Sequence, residues 1–201
     1  MSLWYILIGI GVLIGLLFVI DWRLFGWPKK DSKKTNFPGK YLIPQRTFIA
    51  YQSENQCAGF STAYVLRYLG EAVQGKEMYD RLPGKWKIGA VMPKSIKQYL
   101  ETKGRTCLYL KGNLDTLKMQ ISQGNLIIVF LRTYPQKPYL HYAVVVGYEE
   151  EKIYLADSFF PLQNCETPLY NRMLSTEEFM QVWNTASFYM PCHKYTYLLI
   201  Q

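Results

Sequence analysis

The sequence predicts an α+β domain that follows a single apolar helix. Three observations predict this arrangement: an uncharged N-terminal stretch, helix signals in the first half of the remaining chain, and paired β-strand signals in the second half. The composition is that of a folded protein, because 49% of the residues are hydrophobic and 16% are aromatic. The 201 residues suffice for one domain of ordinary size with an appendage.

The N-terminal apolar run extends from Leu3 to Ile20 without a charged residue. A helix of this length reaches about 27 Å, close to the thickness of the hydrocarbon core of a bilayer. A cleaved signal peptide would carry a basic residue before the run and a small-residue cleavage site after it, and neither is present. Aromatic residues typical of membrane interfaces flank both ends, namely Trp4, Tyr5, Trp22 and Trp27. We therefore expect residues 1–22 to form a retained transmembrane helix.

The net charge of +8 is concentrated beside this helix. Residues 21–40 hold six basic and two acidic side chains, which is half of the surplus, whereas the chain from Tyr41 onward has an ordinary balance. A nucleic-acid-binding protein would carry its basic charge on the folded domain, so we expect no nucleic acid partner. Residues 23–40 read as a basic linker, and the positive-inside rule predicts that everything after the helix is cytoplasmic.

Residues 41–201 form the predicted domain. The segment Tyr41–Gln52 is expected to be extended. Helices are predicted at Cys57–Leu69, Pro93–Lys103, Asn113–Gln123 and Ser175–Trp183. Strands are predicted at Thr106–Lys111, Leu126–Leu131, His141–Tyr148, Lys152–Ala156 and Tyr195–Ile200. Ser175 and Glu178 have the spacing of a capping box, which fixes the start of the last helix.

The four cysteines are Cys57, Cys107, Cys165 and Cys192. No CxxC pair occurs, so a structural zinc site is not expected, and the spacing of Cys165, Cys192 and His193 matches no known ligand pattern. We expect no metal or other cofactor, and a structural role for His193. The even count leaves two disulfides open, but a reducing compartment is the simpler interpretation.

Cys57 is the first candidate for a catalytic residue. It follows the polar segment 52–56 and begins a predicted helix, where the positive end of the helix dipole favours the thiolate. The small residues Ala58 and Gly59 would leave room for a substrate backbone. A buried helical cysteine is the structural alternative.

His141 and Asp157 supply possible partners. His141 is one of only two histidines and stands at the start of an apolar strand. Asp157 ends the next strand, and the hairpin between the two strands should return it to the side of His141. A carboxylate there could orient the imidazole. The structural alternatives are a loop histidine and a turn aspartate.

The segments QSENQCAGFSTAYVLRYLG, LHYAVVVGYEEEKIYLADSF and LSTEEFMQVW resemble three blocks of the bacterial C39 and C39-like peptidases, a papain-like family. The resemblance covers about Ile49 to Trp183. It implies a papain-like α+β domain, with a helical first half packed on an antiparallel sheet. By position it implies that Cys57 is the nucleophile, His141 the base and Asp157 the orienting acid.

The oxyanion donor departs from the family pattern. The usual glutamine lies six residues before the cysteine, where this chain has Tyr51, and Gln52 lies five before it. Gln52 is the preferred donor and Gln56 the alternative.

The expected function is therefore that of a membrane-anchored cysteine peptidase acting on a peptide or protein substrate. Two alternatives stay open: acyl transfer to an amine on the same triad, and a catalytically idle module that binds a peptide.

Overall fold

The computed structural model describes residues 3–32, 36–187 and 190–201; Lys33 and Lys34 of the expected linker lie outside these ranges. The helices are α1 (Leu3–Phe25), α2 (Cys57–Tyr68), α3 (Gly75–Arg81), α4 (Pro93–Thr102), α5 (Leu114–Ser122) and α6 (Thr176–Trp183). The strands are β1 (Lys29–Lys30), β2 (Lys40–Leu42), β3 (Cys107–Lys111), β4 (Leu126–Arg132), β5 (Leu140–Glu149), β6 (Lys152–Ala156), β7 (Arg172–Ser175) and β8 (Thr196–Ile200).

The described strands form one sheet in the order β1-β3-β8-β4-β5-β6-β7, with β2 paired to one end of β5. All pairings are antiparallel except that of β1 with β3. Five helices precede β4, and the core lies between the helices and the sheet. The fold class predicted from the sequence, a helical first half on a mainly antiparallel sheet, is therefore confirmed.

Individual elements differ from the prediction in four places, one of which is β1 within the expected linker. Of the expected extended segment Tyr41–Gln52, only its first residues belong to a strand, β2. Helix α3 was not predicted, because seven residues give too short an apolar period to recognise. Strand β7 was also missed. The capping box of α6 is present, since the Ser175 side chain accepts from Glu178 N and the Glu178 carboxylate accepts from Ser175 N.

Helix α1 is exposed along its apolar length, and its two buried residues lie near its C-terminal end. Within this helix, Asp21 and Phe25 are the buried residues. Asp21 Oδ1 lies 2.8 Å from His193 Nε2, and the Phe25 ring packs on the His193 ring. The segment that follows, expected to be a linker, is attached to the sheet where β1 pairs with β3. The sequence does not reveal these attachments of α1 and β1, because each joins residues that are far apart in the chain.

Helices α2 and α3 cross at two glycines. A Cβ atom on Gly59 would lie 2.4 Å from Tyr79 Cβ, and one on Gly75 would lie 2.5 Å from the Phe60 ring. Gly59 therefore serves this close helix crossing, and the expectation that it leaves room for substrate is wrong. Ala58 does line the cavity described below.

Candidate active site

Cys57 is the first residue of α2, and its side chain is half-buried at the edge of a cleft. The helix is fixed against the sheet, because Ser61 Oγ donates to the Tyr142 carbonyl of β5 at 3.1 Å and one face of α2 is buried. The thiol therefore stands at the positive end of the helix dipole on a rigid element.

His141 and Asp157 are brought together by the β5–β6 hairpin. The strands pair Val144 with Ala156, so Asp157 follows the last paired residue and lies next to the beginning of β5. The Nε2 atom of His141 is 2.6 Å from Oδ1 of Asp157, and both side chains are buried. His141 is thus neither a solvated nor a loop histidine.

The protonation of His141 depends on both of its partners. Burial disfavours the charged imidazolium, but the Asp157 carboxylate, its hydrogen bond to the ring and the neighbouring Cys57 outweigh it and raise the pKa of His141 to about 10. Because Nε2 is occupied by Asp157, Nδ1 is the ring nitrogen left for the thiol. The imidazolium is therefore the favoured form of His141 near neutral pH.

Asp157 is held in its ionised form by a second set of contacts. Its Oδ2 atom accepts from Arg172 Nη1 at 2.9 Å, and Oδ1 also accepts from Phe159 N at 2.9 Å. Burial favours the neutral acid, yet His141, Arg172 and this N–H together hold the pKa of Asp157 below its usual range. The Asn171 side chain bonds the Asp157 backbone at both N and O.

Sequence reasoning missed Arg172 and Asn171. A signal for Arg172 exists in the alternation of β7, where Arg172 and Leu174 share the buried face. An arginine on the buried face of a strand requires a buried anionic partner.

Gln52 and Gln56 lie in different environments. The Oε1 atom of Gln52 accepts from Ser158 Oγ at 2.9 Å, and the Gln52 backbone N donates to Ser158 O at 2.9 Å. The amide NH₂ of Gln52 is left without a partner among the described residues, and Gln52 lines the same cavity as Cys57. Gln56 does not line that cavity, and its Oε1 accepts from Ser53 Oγ at 3.3 Å.

The cavity at this site has a volume of about 850 Å³. The segment 52–55 lines it together with Cys57 and His141. Much of the rest of its wall is apolar, provided by residues that include Trp86, Ile88, Val91, Met92, Phe130 and Met190. A cavity of this size accommodates several residues of an extended peptide.

The other candidate residues lie apart from this cleft. His193 is fully buried, and its Nδ1 bonds Tyr109 Oη at 2.6 Å. Burial lowers the pKa of His193 despite the neighbouring Asp21 carboxylate. All four cysteines are free thiols. Within residues 3–32, 36–187 and 190–201, no group of three or more His, Cys, Asp or Glu side chains could hold a metal ion.

An α+β fold with a cysteine at a helix start, facing a buried histidine across a cleft, defines the class of papain-like cysteine peptidases. Within that class, the family model described as "Peptidase_C39 like family" matches residues 41–191. The chain therefore belongs to the C39-like peptidases, which confirms the resemblance seen in the sequence. A comparison with curated proteins found no match.

Solved structures with the same fold include a putative C39-like peptidase from Bacillus anthracis, with a TM-score of 0.59 and 15% identity over 81% of this chain and 97% of the other. The peptidase domain of Streptococcus ComA, a bi-functional ABC transporter, has a TM-score of 0.58 and 16% identity over 78% and 97%. A double glycine motif protease from an AMS/PCAT transporter, solved with its leader peptide, has a TM-score of 0.52 and 14% identity over 79% and 96%.

Proposed function

We propose that this chain is a membrane-anchored cysteine peptidase that hydrolyses peptide bonds through a Cys57–His141–Asp157 triad. The observation that carries the proposal is the position of His141, which bonds Asp157 through Nε2 and interacts with the Cys57 thiol. Membership of a family of cysteine peptidases supports the reaction class.

In the proposed mechanism the Cys57 thiolate attacks a peptide carbonyl carbon and forms a tetrahedral intermediate. The amide of Gln52 and the backbone N–H of Cys57 donate hydrogen bonds to the oxyanion. His141 then protonates the leaving amine, and the C–N bond breaks to give an acyl-enzyme. His141 next takes a proton from a water molecule, and the resulting hydroxide releases the acid and restores the thiolate. None of these steps uses a cofactor.

The proposed substrate is a peptide or a protein. One structural relative is a protease in complex with a leader peptide, which makes a peptide the appropriate ligand class for this cleft.

The proposed anchor is α1. It is the one helix among the described residues that is long and apolar enough to cross a membrane, with a mean hydropathy of 2.7 and no buried residue in its apolar stretch. The basic flank after it supports a catalytic domain on the cytoplasmic face.

The test is cleavage of a mixed-sequence peptide library by the purified full-length chain in detergent or nanodiscs. The wild type should produce new peptide ends, Cys57→Ala and His141→Ala should produce none, and Cys165→Ala should match the wild type. Products joined to an added amine instead of water would indicate acyl transfer. Peptide binding without any cleavage would contradict the proposal and indicate a binding module.

A further inference from the structure

The end of the apolar helix forms part of the wall of the catalytic cavity. Ile20, Leu24 and Phe25 of α1 line the same 850 Å³ space as Cys57 and His141. Ile20 and Leu24 are one helical turn apart, so this wall belongs to a single face of the helix.

Contacts within this wall and beyond it attach α1 to the domain. Asp21 pairs with the buried His193, as described above, and Lys94 Nζ approaches the Arg23 carbonyl at 3.4 Å. Beyond the helix, Asp31 N donates to Lys111 O at 2.8 Å and the Asp31 carboxylate accepts from Gln120 Nε2 at 2.8 Å. These contacts hold the C-terminal end of α1 against the domain.

The position of the wall along α1 sets its depth relative to a bilayer. The residues from Leu3 to Val19 are uncharged and mostly exposed, whereas Asp21 is the first charged residue. Trp22 and Trp27 are more than half exposed, as expected for aromatic side chains in the headgroup region. The cavity therefore begins where the membrane-spanning part of α1 ends.

The rim of the cavity also carries exposed aromatic and apolar side chains. Trp86, Ile88, Tyr134 and Tyr139 line the cavity and are 42–72% exposed. Most of the cavity lining is apolar, so it offers apolar contacts to side chains on either side of the reacting bond. Three or four extended residues, at about 3.3 Å each, would cross a cavity of this volume.

We propose that the substrate is itself a membrane-anchored polypeptide, cut in the segment that emerges from the bilayer beside α1. The inference rests on the proposed peptidase function and specifies its substrate class. Such a segment carries the aromatic side chains typical of the membrane interface and is delivered at the depth of the cavity. Anchoring of enzyme and substrate in one membrane would raise their effective concentration.

The test compares new polypeptide ends in cells that make either the full-length chain or its Cys57→Ala variant. Ends that depend on Cys57 should fall within about ten residues of an apolar span, a distance that about 33 Å of extended chain covers. A distribution without this bias, in soluble proteins, would overturn the membrane-anchored substrate while leaving the peptidase intact. A complete lack of Cys57-dependent ends would instead overturn the peptidase function, and this inference with it.

A matched pair of variants tests the role of α1. Leu24→Ala removes part of the cavity wall, whereas Leu16→Ala makes the same change at an exposed position of the same helix that does not line the cavity. Leu24→Ala should lower the yield of these ends about tenfold, the effect of trimming an apolar pocket, and Leu16→Ala should leave it unchanged. Equal yields from the two variants would show that this wall faces lipid alone and would overturn the inference.

Discussion

Arg172 and His141 divide the carboxylate of Asp157 between them: Arg172 Nη1 donates to Oδ2 at 2.9 Å, and His141 Nε2 lies 2.6 Å from Oδ1. All three side chains are buried. The arginine therefore keeps the aspartate charged and turns its other oxygen toward the imidazole, which makes it a positioning residue in the proposed mechanism.

Replacement of Arg172 should weaken this arrangement. Because Arg172 helps hold the pKa of Asp157 down, Arg172→Gln should raise that pKa, so that activity is lost at higher pH on acidification than in the wild type. We expect kcat to fall about tenfold, with partial recovery in Arg172→Lys. The measurement is the pH profile of kcat, with Arg81→Gln at an exposed ion pair as the control. An acid limb that does not move would show that Arg172 serves only folding.

The alkaline side of the pH profile should report on His141. Its raised pKa keeps the imidazolium present above neutral pH, so activity should persist there and decline only as His141 loses its proton. Asp157→Asn removes the charge that raises this pKa, so the alkaline limb should move to lower pH and some activity should remain. Profiles of kcat/KM for the two proteins test this. The same alkaline limb in both would contradict the assigned role of Asp157.

The cleft distinguishes the two candidate oxyanion donors. Gln52→Ala should lower kcat by about 10²-fold or more with little change in substrate binding, as expected for removal of an oxyanion donor. Gln56→Ala should have a small effect, because that side chain does not line the cavity and its Oε1 accepts from Ser53. Single-turnover rates of both variants provide the comparison. If Gln56→Ala is the more damaging change, the assignment of the donor is wrong, although the triad can stand.

Much of the architecture could be predicted because its signals are local. The start of α2 follows from the change from the polar segment 52–56 to an apolar helical period, and β5 and β6 are apolar runs on either side of a short charged turn. In an antiparallel hairpin the end of the second strand lies beside the beginning of the first, and the short turn sets the register. The sequence alone therefore indicates that Asp157 lies near His141.

The remainder depends on contacts between distant residues. Asp21 and His193 are 172 positions apart, and no local pattern connects them. From the sequence, a small residue close to Cys57 suggests space for a ligand. Only the structure shows that Gly59 instead makes room for Tyr79. The attachment of residues 25–31 to the sheet was likewise hidden by a composition typical of linkers.

Membrane orientation can be tested with an epitope tag at Gln201. The basic flank on the C-terminal side of α1 predicts a cytoplasmic domain, so an antibody should label the tag only after the cells are permeabilised. A tag placed before Leu3 should be labelled in intact cells and serves as the internal control. Labelling of the Gln201 tag in intact cells would reverse the proposed orientation.

The central claim, that Cys57 is an activated nucleophile, is tested most directly by the rates at which the four thiols are alkylated. Burial raises the pKa of Cys107 to about 12 and also raises the pKa values of Cys165 and Cys192, so these three should react slowly near pH 7. Cys57 should react fastest, and His141→Ala should slow it by removing the imidazolium that stabilises its thiolate. Mass spectrometry of the full-length chain after brief exposure to iodoacetamide resolves each site. Equal rates at all four cysteines, or no effect of His141→Ala on Cys57, would contradict the account.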